Sequence, residues 1–287
     1  MKGSQRVVGG LDCASLRLSA ALALAGMLAV SGSTARAGVL PVGTLLAGVP
    51  AQGSFGTIKG RLVYGGSPAP PAKDLVPKGA AQKDPAVCAA AVAIPDRSLV
   101  VDPKTLGVKY GFAYLVRPKG ENPEAVKELV GKAEKVVLDQ KNCEFIPYAL
   151  AIHQDQTLVF KSTDPVNHNV HLSPFANAPF NQILAANGVV EKKLVPERRV
   201  IPVSCDIHPW MKAWIMVFDH PFFAITGDDG SFEIKGVPAG EQKLVVWQET
   251  VGYATPGLAQ GVPVSVKAGE VTDVGEVKLD PAKVKRR

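Results

Sequence analysis

What most restricts the folding of this 287-residue chain is a series of short apolar runs, rich in β-branched residues and spaced by turn formers, between Val136 and Phe218. Segments 135–138, 149–152, 157–160, 169–172, 189–194, 199–204 and 214–218 each read as a strand. Strands of this length and spacing predict an all-β sandwich or small barrel. Gly 28 and Pro 23 supply turns, and 46% hydrophobic with 20% charged residues is a globular balance. The run 153–156 predicts a hairpin turn between two of the strands.

Residues 1–37 read as a secretory signal peptide. Arg6 and Arg17 carry positive charge, 18–30 is the apolar core, and Ala35-Arg36-Ala37 is a small-x-small cleavage site before Gly38. The apolar run is short for a membrane span. Cys13 precedes it and so is not placed as a lipid-modified N-terminus. The expectation is an exported protein, periplasmic or extracellular at the cell envelope, and not an integral membrane protein after cleavage. Cleavage would remove Lys2, Arg6, Arg17, Arg36 and Asp12, leaving 28 basic against 25 acidic residues from the original 32 and 26. Four of those basic residues (Lys283, Lys285, Arg286, Arg287) lie in a tail, 281–287. The body is close to neutral, which gives no case for a nucleic-acid partner.

The chemistry concentrates in Cys205-Asp206-Ile207-His208-Pro209-Trp210-Met211, a thiolate, an imidazole and a thioether at Cys-x2-His-x2-Met spacing. Soft sulfur ligands with borderline imidazole suit copper, and two His, one Cys and a weak axial Met make an electron-transfer copper site. Zinc would require further Cys or His ligands at matching spacing. The second His comes from Asp164-Pro165-Val166-Asn167-His168-Asn169-Val170-His171, 37 residues before Cys205. His168 and His171 are three apart, so on a strand they face opposite sides. Cysteine arithmetic bears on the same site. In an oxidising compartment two of Cys88, Cys143 and Cys205 are expected to pair. A Cys88–Cys143 disulfide frees Cys205 for a metal; three free thiols and a disulfide through Cys205 are the alternatives.

Together the two segments resemble the cupredoxin (type 1 blue copper) family, nearest to its amicyanin type. The resemblance implies a cupredoxin-like Greek-key β-sandwich holding one type 1 copper ion. It implies His168, Cys205 and His208 as equatorial ligands, with Met211 axial. His168, not His171, precedes the Asn-Val pair. The resemblance also implies that Asn169 joins the two ligand segments, that Pro209 stiffens the loop, and that Trp210 rims an exposed edge of His208 where electrons pass. His171 is expected to be exposed, His153 and His220 to be solvated turn residues, and Met216 to fill core.

Outside that region, 38–54 reads as a flexible leader. Segment 56–64 reads as a strand ending in the Gly65-Gly66 turn, and 67–108 as a long excursion pinned by Cys88. A strand over 110–116, a polar linker over 117–124 and a short helix to about residue 135 follow. Segment 226–234 predicts a hairpin turning at Asp229-Gly230, continued by Val237-Pro238-Ala239-Gly240 and a strand over 243–247. This pattern resembles the carboxypeptidase regulatory-like (transthyretin-like) β-sandwich. The expected organisation is one such sandwich from 55–118 and 222–280, with the cupredoxin (132–220) inserted; two consecutive domains are the alternative.

The resulting expectation is an exported single-electron carrier, not an enzyme, served by unidentified redox partner proteins. Five histidines without a His-x-His pair leave little for a second copper centre, and no Ser-His-Asp or paired-carboxylate constellation stands out. The rival reading is a non-catalytic extracellular binding or adhesion module, in which the cupredoxin is a scaffold and the second sandwich contacts polysaccharide or another envelope component.

Overall fold

The computed structural model describes residues 54–285; the predicted signal segment and nearly all of the leader lie outside the described residues. The strands are β1 (Phe55–Tyr64), β2 (Asp74–Val76), β3 (Ile94–Pro95) and β4 (Phe112–Leu115), followed by helix α1 (Pro123–Lys132). Next come β5 (Lys135–Lys141), β6 (Glu144–Ile146), β7 (Ala149–His153), β8 (Thr157–Ser162) and β9 (His168–Leu172). They are followed by β10 (Phe180–Leu184), β11 (Val189–Lys192), β12 (Ile201–Ser204), β13 (Lys212–Phe218) and β14 (Phe223–Ile225). The last are β15 (Ser231–Pro238), β16 (Gly240–Gln248), β17 (Gly252–Tyr253), β18 (Val262–Val266) and β19 (Val271–Leu279). The fold is all-β apart from α1, which Asn122 caps by accepting from the Ala125 N–H, with Pro123 in the first turn. Among the described residues no helix is long and apolar enough to cross a membrane.

Strands β5 to β13 pair only among themselves, as β10-β9-β12-β13-β7 and β11-β8-β5-β6. Strands β1 and β4, although they precede that block, pair only with strands that follow it. Their sheets are β15-β1-β19 and β14-β4-β16-β17, with β18 also on β16. Two apolar interiors result. One holds Leu138, Phe160, Val170, Ile215 and Cys205, and the other Ile58, Leu62, Phe222, Ile234 and Leu244. A third cluster forms the seam between them, where Phe112, Tyr114 and Val245 of β4 and β16 meet Ala149, Met216 and Phe218 of β7 and β13.

Alternation explains the seam. Ala213, Ile215 and Val217 of β13 face one interior while Met216 and Phe218 face the other way. A strand whose two faces are both covered loses the apolar/polar alternation, so 214–218 and 112–115 read as continuous apolar runs.

Two expected hairpins are not hairpins. The turn at 153–156 joins β7 to β8, which belong to different sheets, and 226–230 likewise carries the chain from β14 to β15 in another sheet. Both turns form locally: Gln156 N–H bonds to His153 O at 2.9 Å, and Gly227 N–H to Ser231 O at 2.9 Å. A turn residue fixes the reversal; only packing decides whether the outgoing strand returns beside its predecessor or crosses the sandwich.

Candidate metal centre

The loop 205–211 spans the end of an antiparallel pair, since Ser204 of β12 lies opposite Lys212 of β13. Strand β9 runs antiparallel on the other side of β12, with Ser204 opposite His171. His168, three residues further back along β9, therefore extends past the end of β12 and meets the loop. Inside the loop the Met211 N–H bonds to His208 O at 2.9 Å, a tight turn at the exposed Pro209. Asn169 ties the segments together. Its backbone N–H points at Cys205 Sγ (3.4 Å), its side-chain oxygen accepts from the Asp206 N–H, and its amide nitrogen donates to Asn181 and Asp206.

His168, Cys205 and His208 bring one donor atom each within 4.8 Å of one another, and all three are buried. Nδ1 of His168 lies 2.9 Å from Nδ1 of His208, and Cys205 Sγ lies 3.8 Å from the latter. Cys205 is a free thiol. Met211 is 1% exposed and belongs to the same apolar interior as Cys205. His171 points away, half-exposed and paired with Asp206 at 3.0 Å. Cys88 and Cys143 are joined in a disulfide, and their sulfurs lie within 4.8 Å of a His208 ring nitrogen.

The outer nitrogens of both rings are committed. His168 Nε2 lies 2.9 Å from Asp164 Oδ2, and His208 Nε2 lies 2.9 Å from Asp84 Oδ2. An ionised carboxylate only accepts, so each Nε2 carries a proton and each neutral ring leaves its Nδ1 lone pair facing inward. Two lone pairs at 2.9 Å repel, and a cation held by both rings would relieve that repulsion. Burial opposes charging His168, but Asp164 and Cys205 outweigh it and raise this imidazole above its usual range. Burial likewise opposes the Cys205 thiolate, yet His168, His208 and the Asn169 N–H outweigh it and lower the thiol. Asp164 is held below the ordinary carboxylate range against its own burial by His168 and the N–H groups of Cys143 and Asn142. The donor set therefore fits a soft, thiolate-binding cation, with imidazoles oriented by carboxylates behind them.

Three sequence expectations require correction. His208 has no exposed edge: it is 0% exposed, covered by the excursion 67–108 through Asp84 and Cys88. Trp210 is not a rim around such an edge. It is half-buried, tilted against His208 at 5.3 Å, with its indole N–H on Cys143 O at 3.1 Å. His153 and His220 are not solvated. His153 is 2% exposed and His220 half-buried, where both line a cleft of about 520 Å³ with Arg117, Asp155 and Asp219. Their turns sit where the two sandwiches meet, so the packing that makes the seam also encloses them.

Sequence reasoning assigned no role to Asp164 or Asp84. Asp164 had a signal, four residues before His168 in the same run; Asp84 is 124 residues from His208 and had none.

No protein-family model matches the chain, and no curated protein matches it. Among solved structures, similar ones include a Cu-containing nitrite reductase from Thermus scotoductus SA-01 (22% identity, TM-score 0.27, 29% of this chain and 22% of that one). A reduced Cu(I) form of amicyanin gives 17% identity and TM-score 0.27 over 29% of this chain and 82% of that one. A purple cupredoxin from Nitrosopumilus maritimus gives 21% identity and TM-score 0.25 over 29% and 98%. The match thus spans about a fifth of the nitrite reductase. Scores this low bear no weight for the site or its chemistry.

Proposed function

We propose that this protein is an exported type 1 copper carrier of single electrons, in which His168, Cys205, His208 and Met211 would hold the ion. The reading rests on one observation above all, the buried inward-facing pair of Nδ1 atoms beside a free thiol. The thioether of Met211 on the same loop favours copper over zinc. When bound, a single copper ion would supply reversible Cu(II)/Cu(I) cycling. The chain's own residues do the rest. Asp164 holds the His168 ring in the tautomer that presents Nδ1, and the Asn169 N–H supports the thiolate. Burial of all three donors excludes water, and the loop's anchorage between β12 and β13 fixes their spacing.

In the same reading the site-bearing strands form a cupredoxin inserted into a regulatory-like sandwich, a placement supported by β1 and β4 pairing only across the block. The test is titration of purified metal-free protein with Cu(II) beside Cys205→Ser. One equivalent should raise an intense visible charge-transfer band in the wild type and none in the variant. A wild type that stays colourless, or an equally coloured variant, removes the proposal.

A further inference from the structure

His208 is completed from outside its own strands. The carboxylate behind its ring, Asp84, lies on the excursion between β2 and β3, where it adopts a left-handed conformation (φ 46°). Such a backbone is uncommon outside glycine, asparagine and aspartate and persists where surrounding contacts fix it. Here two contacts do so. Asp84 O accepts from the N–H groups of Val87 and Cys88 at 2.9 Å each, and Cys88 is bonded to Cys143. On the other side of that disulfide, the Cys143 N–H donates to Asp164 at 2.7 Å, and Asp164 backs His168. One covalent bond thus joins two arms, each ending in a carboxylate on one of the two imidazoles.

We infer that Asp84 is a positioning residue for His208 and that the Cys88–Cys143 disulfide is the clamp that keeps it in place. The inference rests on the copper reading and deepens it. A carboxylate on Nε2–H fixes which nitrogen faces the metal and makes the ring a stronger donor. The same negative charge favours the more highly charged ion, so Asp84 biases the site toward Cu(II). The arm also covers the His208 edge, leaving the ring 0% exposed.

The test uses the full chain as wild type, Asp84→Asn, Asp84→Ala and Cys88→Ser/Cys143→Ser. Asp84→Asn keeps an acceptor oxygen but loses the charge. It should hold copper with the wild-type band while shifting the Cu(I)/Cu(II) balance about tenfold toward Cu(I), about 59 mV for one electron. Asp84→Ala loses both and should weaken copper binding roughly 10–100-fold, with the double serine variant resembling it. Nitrogen-edited NMR of the metal-free proteins gives a second readout. The His208 Nε2–H should exchange slowly in the wild type and at least about tenfold faster in Asp84→Ala, by loss of that bond. A role confined to folding the excursion would lower stability in both Asp84 variants without separating Asn from Ala in the redox balance, and that result overturns the inference. So do copper affinity and Cu(I)/Cu(II) balance within about twofold of wild type in Asp84→Ala. If the wild type binds no copper, the copper reading fails by itself. The imidazole N–H then decides the positioning role alone, an unchanged exchange rate overturning it.

Discussion

Polypeptide from outside β5–β13 covers that block at the seam and over His208, and the two contacts differ in what they add to apolar burial. The seam is apolar: Phe112, Tyr114 and Val245 against Ala149, Met216 and Phe218, with Phe218 stacked on Phe223 at 4.5 Å. The cap over His208 also buries apolar side chains, Val76, Ala81, Ala89 and Ile94, and adds to them one carboxylate contact and one disulfide. The seam draws its strength from area removed from water, which is non-directional and tolerant of exact geometry. The cap adds orientation to the area it buries. The two contacts should therefore fail in different ways, the first in stability alone and the second in the site as well.

The largest effect should come from Phe218→Ala. Truncating a buried aromatic at the seam should cost about 3–5 kcal/mol in denaturant unfolding, while the copper band of whatever remains folded keeps its position. A band shifted as far as in Asp84→Ala would show that seam and site are not separate. Next is removal of the disulfide. It closes a 55-residue separation, for which loop closure alone gives about 4 kcal/mol, with about 2–4 expected in practice. Unlike the seam variant, Cys88→Ser/Cys143→Ser should also lower copper affinity; a pure stability loss would make the cap no different from the seam.

A third experiment uses pH. Burial lowers the His220 imidazole to about 4 against Asp219, which pulls the other way. Between about pH 6.5 and 4 the unfolded chain binds a proton that the folded ring does not. Stability should therefore fall as pH drops through that window and stay flat below it, by on the order of 1–3 kcal/mol. His220→Gln should flatten the dependence in pH-resolved unfolding; an unchanged slope assigns it elsewhere. An effect of the same size is expected from Asp164→Asn. It weakens the pairing to His168 and sets an amide before two backbone N–H groups, at about 1–3 kcal/mol. Comparison with Asp84→Asn then asks whether the local carboxylate supports the fold more than the remote one does.

Much of the fold was legible. The predicted strands at 56–64, 135–138, 157–160 and 214–218 correspond to β1, β5, β8 and β13, because burial on one face or both leaves an alternating or a continuous apolar run between turn residues. Strand β10, which pairs with β9 and so flanks His168, was missed: its residues Asn181, Gln182 and Ile183 are exposed, and an edge strand with one polar face carries little apolar signal. The sheet switches at 153–156 and 226–230 were misread because a turn's residues are the same whether the next strand returns or crosses.

At the candidate centre, the sequence by itself determined the donor types and their grouping: a thiol, an imidazole and a thioether in one seven-residue loop, and a histidine on a neighbouring strand. Residue chemistry and short spacing are local properties, readable in order along the chain. Only the tertiary structure decided that His208 is sealed, that Asp84 stands behind it across 124 residues, and that a disulfide joins the two carboxylate arms. Those contacts arise from where sheets and excursion come to rest against one another, and a single carboxylate meeting a ring nitrogen at 2.9 Å leaves no periodic trace in sequence.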